Sequence, residues 1–375
     1  MQNKIKKIFN LINAKKTALG VGPMSKNVVD TTIKISNKFN IPIMLIASRR
    51  QIECKEFSGG YVNSWDTESF AKYVLSKDKK KNIILCRDHG GMWQNDFEKQ
   101  NKLSFNQCYE TTKKSFKTDI DNNFSVIHID TSEANKKKIS LKENIYRFID
   151  LYEYCLKSAK KSNKKIVCEM GTEEQSGFSG NSDDLENGLS LTKIFCKKKN
   201  LPYPAFVVIQ AGTKVMQKRN IGSFASEVRI KNEIPIEIQL IKSLELCKKY
   251  GIFMKEHNAD FLDENSLSWH PKLGIHAANV APEFAITETK ALLDLLNYYK
   301  LSKIKQEFIN ISVRSNKWKK WTLKGSKLSD LDKTLLCGHY NFSKKNFKIL
   351  KEDLNNFLKA KKRDLNYHLK TKIEI

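Results

Sequence analysis

Short apolar runs that recur along the chain constrain its fold more than any other feature. Eight of them occupy residues 18–22, 42–47, 83–86, 126–129, 166–169, 205–210, 252–255 and 272–276. They are mostly unbroken rather than alternating, which is typical of parallel strands covered on both faces. Longer segments with helical periodicity lie between most of them, for example at 27–39, 145–159 and 236–250.

Eight strand–helix units over about 250–300 residues predict an α/β fold of the TIM (β/α)8 barrel type. A doubly wound open sheet is the competitor, but no Gly-x-Gly-x-x-Gly follows the first run. We therefore predict a barrel over residues 1–310 and a mainly helical C-terminal extension over 311–375. The extension contains Trp318, Trp321 and a helical run at 347–367, which is enough apolar surface to pack on the barrel or on a neighbouring subunit.

Acidic and histidine residues follow directly after several of these runs. The chain has only 7 histidines in 375 residues, yet His89, His257 and His276 all stand at predicted strand ends, as does Glu169. The active site of a barrel lies at the carboxyl ends of its strands. Imidazoles and a carboxylate grouped there could hold a divalent metal with one open position. The alternative for each histidine taken alone is a buried core or loop residue.

Acid–base candidates lie beside these ligands. Asp88 precedes His89 and is placed to move a proton; alternatively, its carboxylate only orients the imidazole of His89. Glu173 and Glu174 lie in a loop with Gly and Ser residues and could supply another acid or base, although acidic loop residues are usually only solvated. His128 lies inside the fourth run, and the sequence leaves open whether it faces the barrel mouth or the core.

Other residues are candidates for binding an anionic substrate. Segment 278–283 ends the eighth predicted strand and opens a helix, with Pro282 suited to the first turn. Free N–H groups at such a helix start favour a phosphate. The candidates for substrate contacts are Asn279 in this turn, Arg49 and Arg50 after the second run, of which one is expected to face solvent, and Gln210 and Lys214 around the sixth.

Composition narrows the class of protein. The net charge of +26 suggests a protein that binds nucleic acid. However, the lysines occur in runs typical of solvated helix ends, and no nucleic-acid-binding motif accompanies them. A basic cleft for a phosphorylated or carboxylated substrate is the preferred interpretation. Eight scattered cysteines without a Cys-x-x-Cys pair indicate a reducing compartment. Neither a signal peptide nor an apolar stretch of about 18 residues is evident, so we expect a cytoplasmic protein.

A set of short motifs occurs in a recognisable order. They are Ser58-Gly59-Gly60-Tyr61, Trp65-Asp66-x-x-Ser69-Phe70-Ala71, Asp88-His89-Gly90-Gly91, His128-Ile129-Asp130-Thr131-Ser132, Gly171-Thr172-Glu173, Glu256-His257-Asn258-Ala259-Asp260 and Trp318-Lys319-Lys320-Trp321. In this order the chain resembles the Z-type subunit of tagatose-bisphosphate aldolase, from about Asn13 to the C-terminus. That family is similar in fold to the class II metal-dependent aldolases.

The resemblance implies roles for matching residues. Asp88 would transfer a proton, while His89, His257 and His276 would bind the metal with Glu169 nearby. The resemblance also implies a divalent metal ion as cofactor, with Zn2+ preferred and Mn2+ or Co2+ as alternatives. It implies a small phosphorylated or acidic sugar as substrate. It also implies a homo-oligomer or a complex with an aldolase subunit.

Two departures from the sequence that is usual in this family leave the identity of the substrate open. Asn279-Val280-Ala281-Pro282 replaces the Lys-containing turn that is usual in relatives, and Gly-Gly follows the Asp-His pair.

Two functions from different classes follow from the sequence. The first is a metal-dependent sugar aldolase, or a ketose epimerase that uses the same retro-aldol cleavage, in carbohydrate metabolism. The second is a non-catalytic accessory subunit that stabilises a separate class II aldolase. Neither requires nucleic acid or a membrane.

Overall fold

The structure, a computed structural model, describes residues 2–133, 139–171, 182–209, 214–221, 236–323, 325–360 and 364–374. Its strands are β1 (Ala18–Val21), β2 (Ile43–Ser48), β3 (Ile83–Gly90), β4 (Phe124–Asp130), β5 (Val167–Gly171), β6 (Phe206–Ile209), β7 (Lys214–Met216), β8 (Arg219–Ile221), β9 (Phe253–Glu256) and β10 (Ala277–Val280). Eight of these close a parallel barrel in the order β1-β10-β9-β6-β5-β4-β3-β2, while β7 and β8 form a separate antiparallel pair. The predicted TIM barrel is confirmed.

Helices surround the barrel and form the C-terminal extension. In the described part of the chain they are α1 (Gln2–Asn13), α2 (Lys26–Phe39), α3 (Thr67–Lys77), α4 (Asp96–Gln100), α5 (Phe105–Asp121), α6 (Leu141–Lys161), α7 (Ser182–Lys199), α8 (Ile236–Tyr250), α9 (Glu264–Leu273), α10 (Pro282–Tyr298), α11 (Ser302–Arg314), α12 (Asp330–Cys337), α13 (Lys345–Ala360) and α14 (Leu365–Glu374). No described helix is both long and apolar enough to cross a membrane.

Local sequence signals set the helix starts. Ser25 and Asp66 precede α2 and α3, and each side chain accepts a hydrogen bond from a backbone N–H of the first turn. Ser104 and Gln107 form a reciprocal capping box at the start of α5. Such caps replace hydrogen bonds that the first turn of a helix otherwise lacks, and each contributes about 1 kcal/mol.

Burial follows from the unbroken apolar runs. All seven residues of β4 and the first five of β2 are buried, because one side of each strand faces the barrel interior and the other faces the helices. Val28 and Ile33 of α2 belong to the same apolar core as Leu45 and Leu85 of the strands. Burying one such side chain contributes roughly 1.5–3 kcal/mol. All eight cysteines are free and buried, as expected for small apolar residues.

The eighth barrel strand lies later in the chain than the apolar pattern predicts. Residues up to Leu273 belong to α9, which ends at Gly274 in the left-handed conformation with φ of 84°. The strand is formed by Ala277–Val280, whose small residues give a weak apolar signal. The predicted strand at 272–276 is therefore wrong, and His276 precedes the strand instead of ending it.

The C-terminal extension packs on the barrel through α10. Leu292 and Leu296 of α10 share an apolar cluster with Phe308 of α11, Phe347 of α13 and residues of α14. Helix α14 also contacts α2, where Lys370 forms an ion pair of 2.8 Å with Asp30. The division of the chain at residue 310 stays a prediction.

Candidate active site

Asp88, His89 and His257 come together at the carboxyl end of the barrel. Asp88 and His89 lie near the end of β3, and His257 follows β9 directly. Since β3 and β9 are not neighbours in the barrel, the side chains meet across its mouth. The Nε2 atoms of His89 and His257 are 2.8 Å apart. One ligand atom from each of the three residues fits within a span of 4.8 Å.

A neighbouring strand fixes the orientation of His89. Its Nδ1 lies 2.8 Å from Oδ2 of Asp130, the last residue of β4, and Gln94 Nε2 donates to the same oxygen at 3.0 Å. The carboxylate accepts the Nδ1 proton, so Nε2 is directed at His257. His89 has a φ of 42°, which non-glycine residues seldom adopt and which is typical of residues held by surrounding contacts at functional sites.

Charges at this site are unequally distributed between the two imidazoles. Burial lowers the pKa of His89, but the carboxylates of Asp88 and Asp130 outweigh it and raise that pKa above its usual value. Burial and the adjacent His89 lower the pKa of His257 to about 3. Burial raises the pKa of Asp88, yet His89 and His128 hold it well below its usual range. At 2.8 Å the Nε2 atoms of His89 and His257 share one proton beside the carboxylate of Asp88, and a cation could replace that proton.

His128 also belongs to the site, which resolves the alternative that the sequence leaves open. Its Nδ1 lies 3.1 Å from Oδ1 of Asp88, close enough to donate a proton to the carboxylate. Its Nε2 is buried and has no hydrogen-bond partner among the described residues. Gly171 at the end of β5 makes room for this ring, because a Cβ there would lie 2.3 Å from Nε2.

A cavity of about 330 Å3 opens above these side chains. Its lining combines the barrel mouth with the C-terminal extension, and includes Arg50, Gln51, Tyr61, Asp88, His89, Asp96, His257, Asp260, Asn279, Lys317, Lys320, Trp321 and Tyr340. The four residues of the extension could not be placed here from the sequence, because only tertiary packing brings them to the barrel. The volume is at the lower end of the range for small-molecule sites.

Asn279 presents unpaired polar atoms at this cavity. It lies on β10 and is 2% exposed, and neither its side-chain oxygen nor its nitrogen has a partner among the described residues. In the barrel register it stands opposite Gly20 of β1. A Cβ at Gly20 would lie 2.3 Å from the Asn279 Oδ1, so the glycine provides the space for the amide.

The start of α10 is not a free anion site, contrary to the sequence prediction. Asp260 accepts hydrogen bonds from the backbone N–H groups of Ala281 at 2.9 Å and Glu283 at 2.8 Å. Glu283 in turn accepts from the N–H of Phe261 at 2.7 Å. Burial raises the pKa of Asp260 to about 7. A carboxyl group of the protein thus occupies the place where a phosphate was expected, although Pro282 does begin the helix as predicted.

Arg49 has a structural position and cannot contact a substrate in the cavity. It is fully buried, and it forms ion pairs with Glu53 at 2.5 Å and Glu98 at 2.8 Å. It also donates to the carbonyl of Gly91 at 2.5 Å. The prediction of Arg49 as a substrate contact is therefore wrong, whereas Arg50 lines the cavity.

Glu169 is likewise separated from the metal candidates. It is fully buried in β5, and both of its carboxylate oxygens accept from Lys255 Nζ, at 2.9 and 3.0 Å. Lys255 lies on β9, two residues before His257, and is 1% exposed. The ammonium group of Lys255 thus neutralises Glu169.

His276 lies at the opposite end of the barrel. It precedes β10, packs against the ring of Phe253 at the start of β9, and its Nδ1 is 3.1 Å from the backbone nitrogen of Met254. The prediction of His276 as a metal ligand fails because the strand after it was placed too early in the sequence.

The side chains of four further predicted site residues are not among those that the structure describes. Glu173, Glu174 and Gln210 lie outside the described residues, and for Lys214 only the backbone, at the start of β7, is described. Their predicted roles stay predictions.

The same fold occurs in solved structures of low sequence identity. One, described as a probable tagatose 6 phosphate kinase from Sinorhizobium meliloti 1021, aligns with 92% of this chain and 88% of its own, at a TM-score of 0.72 and 13% identity. A fructuronate–tagaturonate epimerase from Cohnella laeviribosi aligns with 96% and 80%, at a TM-score of 0.55 and 10% identity. A fructose-bisphosphate aldolase from Campylobacter jejuni aligns with 93% and 92%, at a TM-score of 0.50 and 15% identity. No protein-family model and no curated protein matches the sequence. At these identities the similarities establish the fold.

Proposed function

We propose that this protein is a metal-dependent sugar aldolase, or a ketose epimerase that acts by the same retro-aldol cleavage. One observation carries the proposal: Asp88, His89 and His257 converge within 4.8 Å at the mouth of the barrel. They line a cavity large enough for a monosaccharide. The structures that share the fold include a sugar aldolase and a sugar epimerase, which supports the same class of chemistry.

The donor set fits a divalent metal ion. His89 and His257 would provide imidazole nitrogens, a ligand type that Zn2+ prefers and that Mn2+ and Co2+ also accept, and the carboxylate of Asp88 would lie beside the ion. The pKa of about 3 keeps His257 in the neutral form that binds metals. Asp130 supports His89 from behind through its Nδ1. When bound, the metal would polarise the sugar carbonyl and stabilise the enediolate charge that forms on cleavage.

Asp88 is the best candidate for the proton transfer that cleavage requires. Its carboxylate lines the cavity beside His89, where it could accept the proton of the departing hydroxyl group. In an aldolase the same group would return the proton during the reverse condensation. In an epimerase the aldehyde fragment would present its opposite face before the bond is rebuilt, and the proton would go to the alkoxide that forms.

Metal analysis of matched histidine variants tests the proposal. We expect the purified protein to lose turnover of ketoses or ketose phosphates on chelation and to regain it with Zn2+, Mn2+ or Co2+. His89→Ala and His257→Ala should lose bound metal. His276→Ala removes a histidine from the other end of the barrel and should retain it. Full activity in a metal-free preparation, or equal metal loss in all three variants, would refute the assignment.

The motif order favours a second candidate, an accessory subunit of a separate aldolase. An accessory subunit needs no metal group of its own, so the convergence of His89 and His257 favours the enzyme. Co-purification with an aldolase-like subunit, together with no bound metal in the isolated chain, would reverse this preference.

A further inference from the structure

The lining of the cavity includes a group of cationic side chains as well as the metal candidates. Arg50, Lys317 and Lys320 all line it, together with the carboxylate of Asp96. Lys317 Nζ lies 3.1 Å from Asp96 Oδ2, and Arg50 Nε lies 3.9 Å from Oδ1 of the same residue. Burial raises the pKa of Asp96, but Lys317, Arg50 and Lys320 outweigh it and lower that pKa. Among the described residues, Lys317 and Lys320 thus bring two positive charges from the extension to a side of the cavity where Asp96 is the neighbouring carboxylate.

Lys320 is held over aromatic rings rather than by an acid. Its Nζ lies 4.4 Å from the ring centroid of Trp321 and 5.3 Å from that of Tyr340, and both residues also line the cavity. No carboxylate of the described residues forms an ion pair with it. Ring faces attract an ammonium group but leave its N–H donors available to an anion.

The usual anion site of a barrel is already filled in this protein. Asp260 occupies the N–H groups at the start of α10, and Glu283 adds a second carboxylate there. An anionic group of a substrate would be repelled from that turn. Asn279, which lies between this turn and the cavity, contributes a buried amide without a partner among the described residues. An unpaired buried amide costs free energy until something donates to it or accepts from it.

We propose that the C-terminal extension completes an anion subsite, in which Lys317 and Lys320 with Arg50 bind a phosphate or carboxylate group of the sugar while Asn279 contacts its hydroxyl groups. This inference rests on the proposed function and specifies its substrate class: a sugar with an anionic group remote from the carbonyl that faces Asp88. It assigns the extension a part in substrate selection in addition to packing on the barrel.

Lysine variants in one short segment test this subsite. The probes are inorganic phosphate, a hexuronate and an uncharged ketohexose, with binding measured by calorimetry on the full-length, chelator-treated protein at constant ionic strength. We expect Lys317→Ala and Lys320→Ala each to weaken anion binding roughly tenfold, the loss of one charge-assisted contact. Lys319→Ala is the control, because Lys319 is exposed in the same segment but does not line the cavity. It should change the affinity less than twofold, and binding of the uncharged sugar should not change in any variant.

The two anions separate the possible ligands. If Lys317→Ala and Lys320→Ala weaken the binding of phosphate but not of the hexuronate, the subsite is assigned to sugar phosphates. If they weaken the binding of the hexuronate but not of phosphate, it is assigned to sugar acids. Equal losses in Lys319→Ala and Lys320→Ala, or the absence of binding of both anions to the unmodified protein, would overturn the proposal. Because the measurement uses metal-free protein, it can fail while the metal chemistry holds, and it can succeed if that chemistry fails.

Discussion

Arg49 and Arg50 are adjacent in the sequence but have opposite roles in the structure, and replacing each with methionine tests this directly. Arg49 is fully buried between Glu53 and Glu98. The side chain of Arg50 is 27% exposed and lines the cavity. We expect Arg49→Met to destabilise the fold without a direct effect on ligand binding. Arg50→Met should leave the stability nearly unchanged and weaken anion binding.

The magnitude follows from the ions that Arg49 neutralises. Removing one partner of a buried ion pair typically costs about 3–5 kcal/mol, because the other charge remains uncompensated. Burial alone would raise the pKa of Glu53, but Arg49 and Arg87 outweigh it and hold that pKa at about 2, below its usual 4.5. At about 1.4 kcal/mol per pKa unit this is roughly 3 kcal/mol, shared by both arginines. Glu98 limits the cost, since burial raises its pKa and it can take up a proton when Arg49 is lost.

The pH dependence of the effect has a definite sign. Because the pKa of Glu53 is lowered in the folded protein, its contribution is fully present above pH 4.5 and is lost as the pH falls towards 2. The difference in stability between the unmodified protein and Arg49→Met should therefore be largest near neutral pH and decrease below pH 4.5. Urea unfolding followed by circular dichroism at several pH values measures it. Equal urea midpoints for Arg49→Met and Arg50→Met at pH 7 would refute the structural role of Arg49.

Two further substitutions examine the barrel interior. If Asp88 transfers the proton, Asp88→Asn should keep the metal and lower turnover by roughly 10²–10⁴-fold. If Asp88 only supports the metal, the affinity for the metal should fall by about 10–100-fold, and excess metal should rescue the rate. Measuring turnover while titrating the variant with metal distinguishes the two. Lys255→Met should destabilise the protein by about 3–5 kcal/mol, because it leaves Glu169 buried and unpaired. The double variant that also carries Glu169→Met should recover most of that loss. Equal urea midpoints for the single and double variants would contradict the ion-pair account.

The sequence predicts the fold well where apolar runs are long and bulky. The second run overlaps a strand of six residues, and the fourth lies within a strand of seven. The eighth strand was placed wrongly because Ala277–Val280 contains small residues and a buried asparagine, so its apolar signal is weaker than that of the helix end before it. This shift of a few residues moved His276 from one end of the barrel to the other in the prediction.

The same reasoning explains which parts of the site the sequence could predict. His89 and His257 were found because each stands at a strand end, where barrel strands converge. Arg49 and Arg50 could not be told apart, since adjacent residues differ in environment but not in chemistry. Lys317 could not be found at all, because its ion pair with Asp96 spans 221 residues and depends on how the extension packs.

Two buried polar groups at the mouth of the barrel connect the fold to the proposed function. Below the mouth of the barrel, buried charges have partners: Lys255 bonds Glu169 through both oxygens, and Arg87 pairs with Asp119 at 2.6 Å. Buried side-chain atoms without a hydrogen-bond partner in the described part of the chain occur elsewhere too, for example Arg49 Nη2, and two such groups lie at the mouth: His128 Nε2 and the amide of Asn279. Each such group costs about 1–3 kcal/mol unless a ligand or water satisfies it. That cost is reasonable at a site that binds a polyhydroxylated sugar, because the hydroxyl groups of the ligand can provide the missing hydrogen bonds.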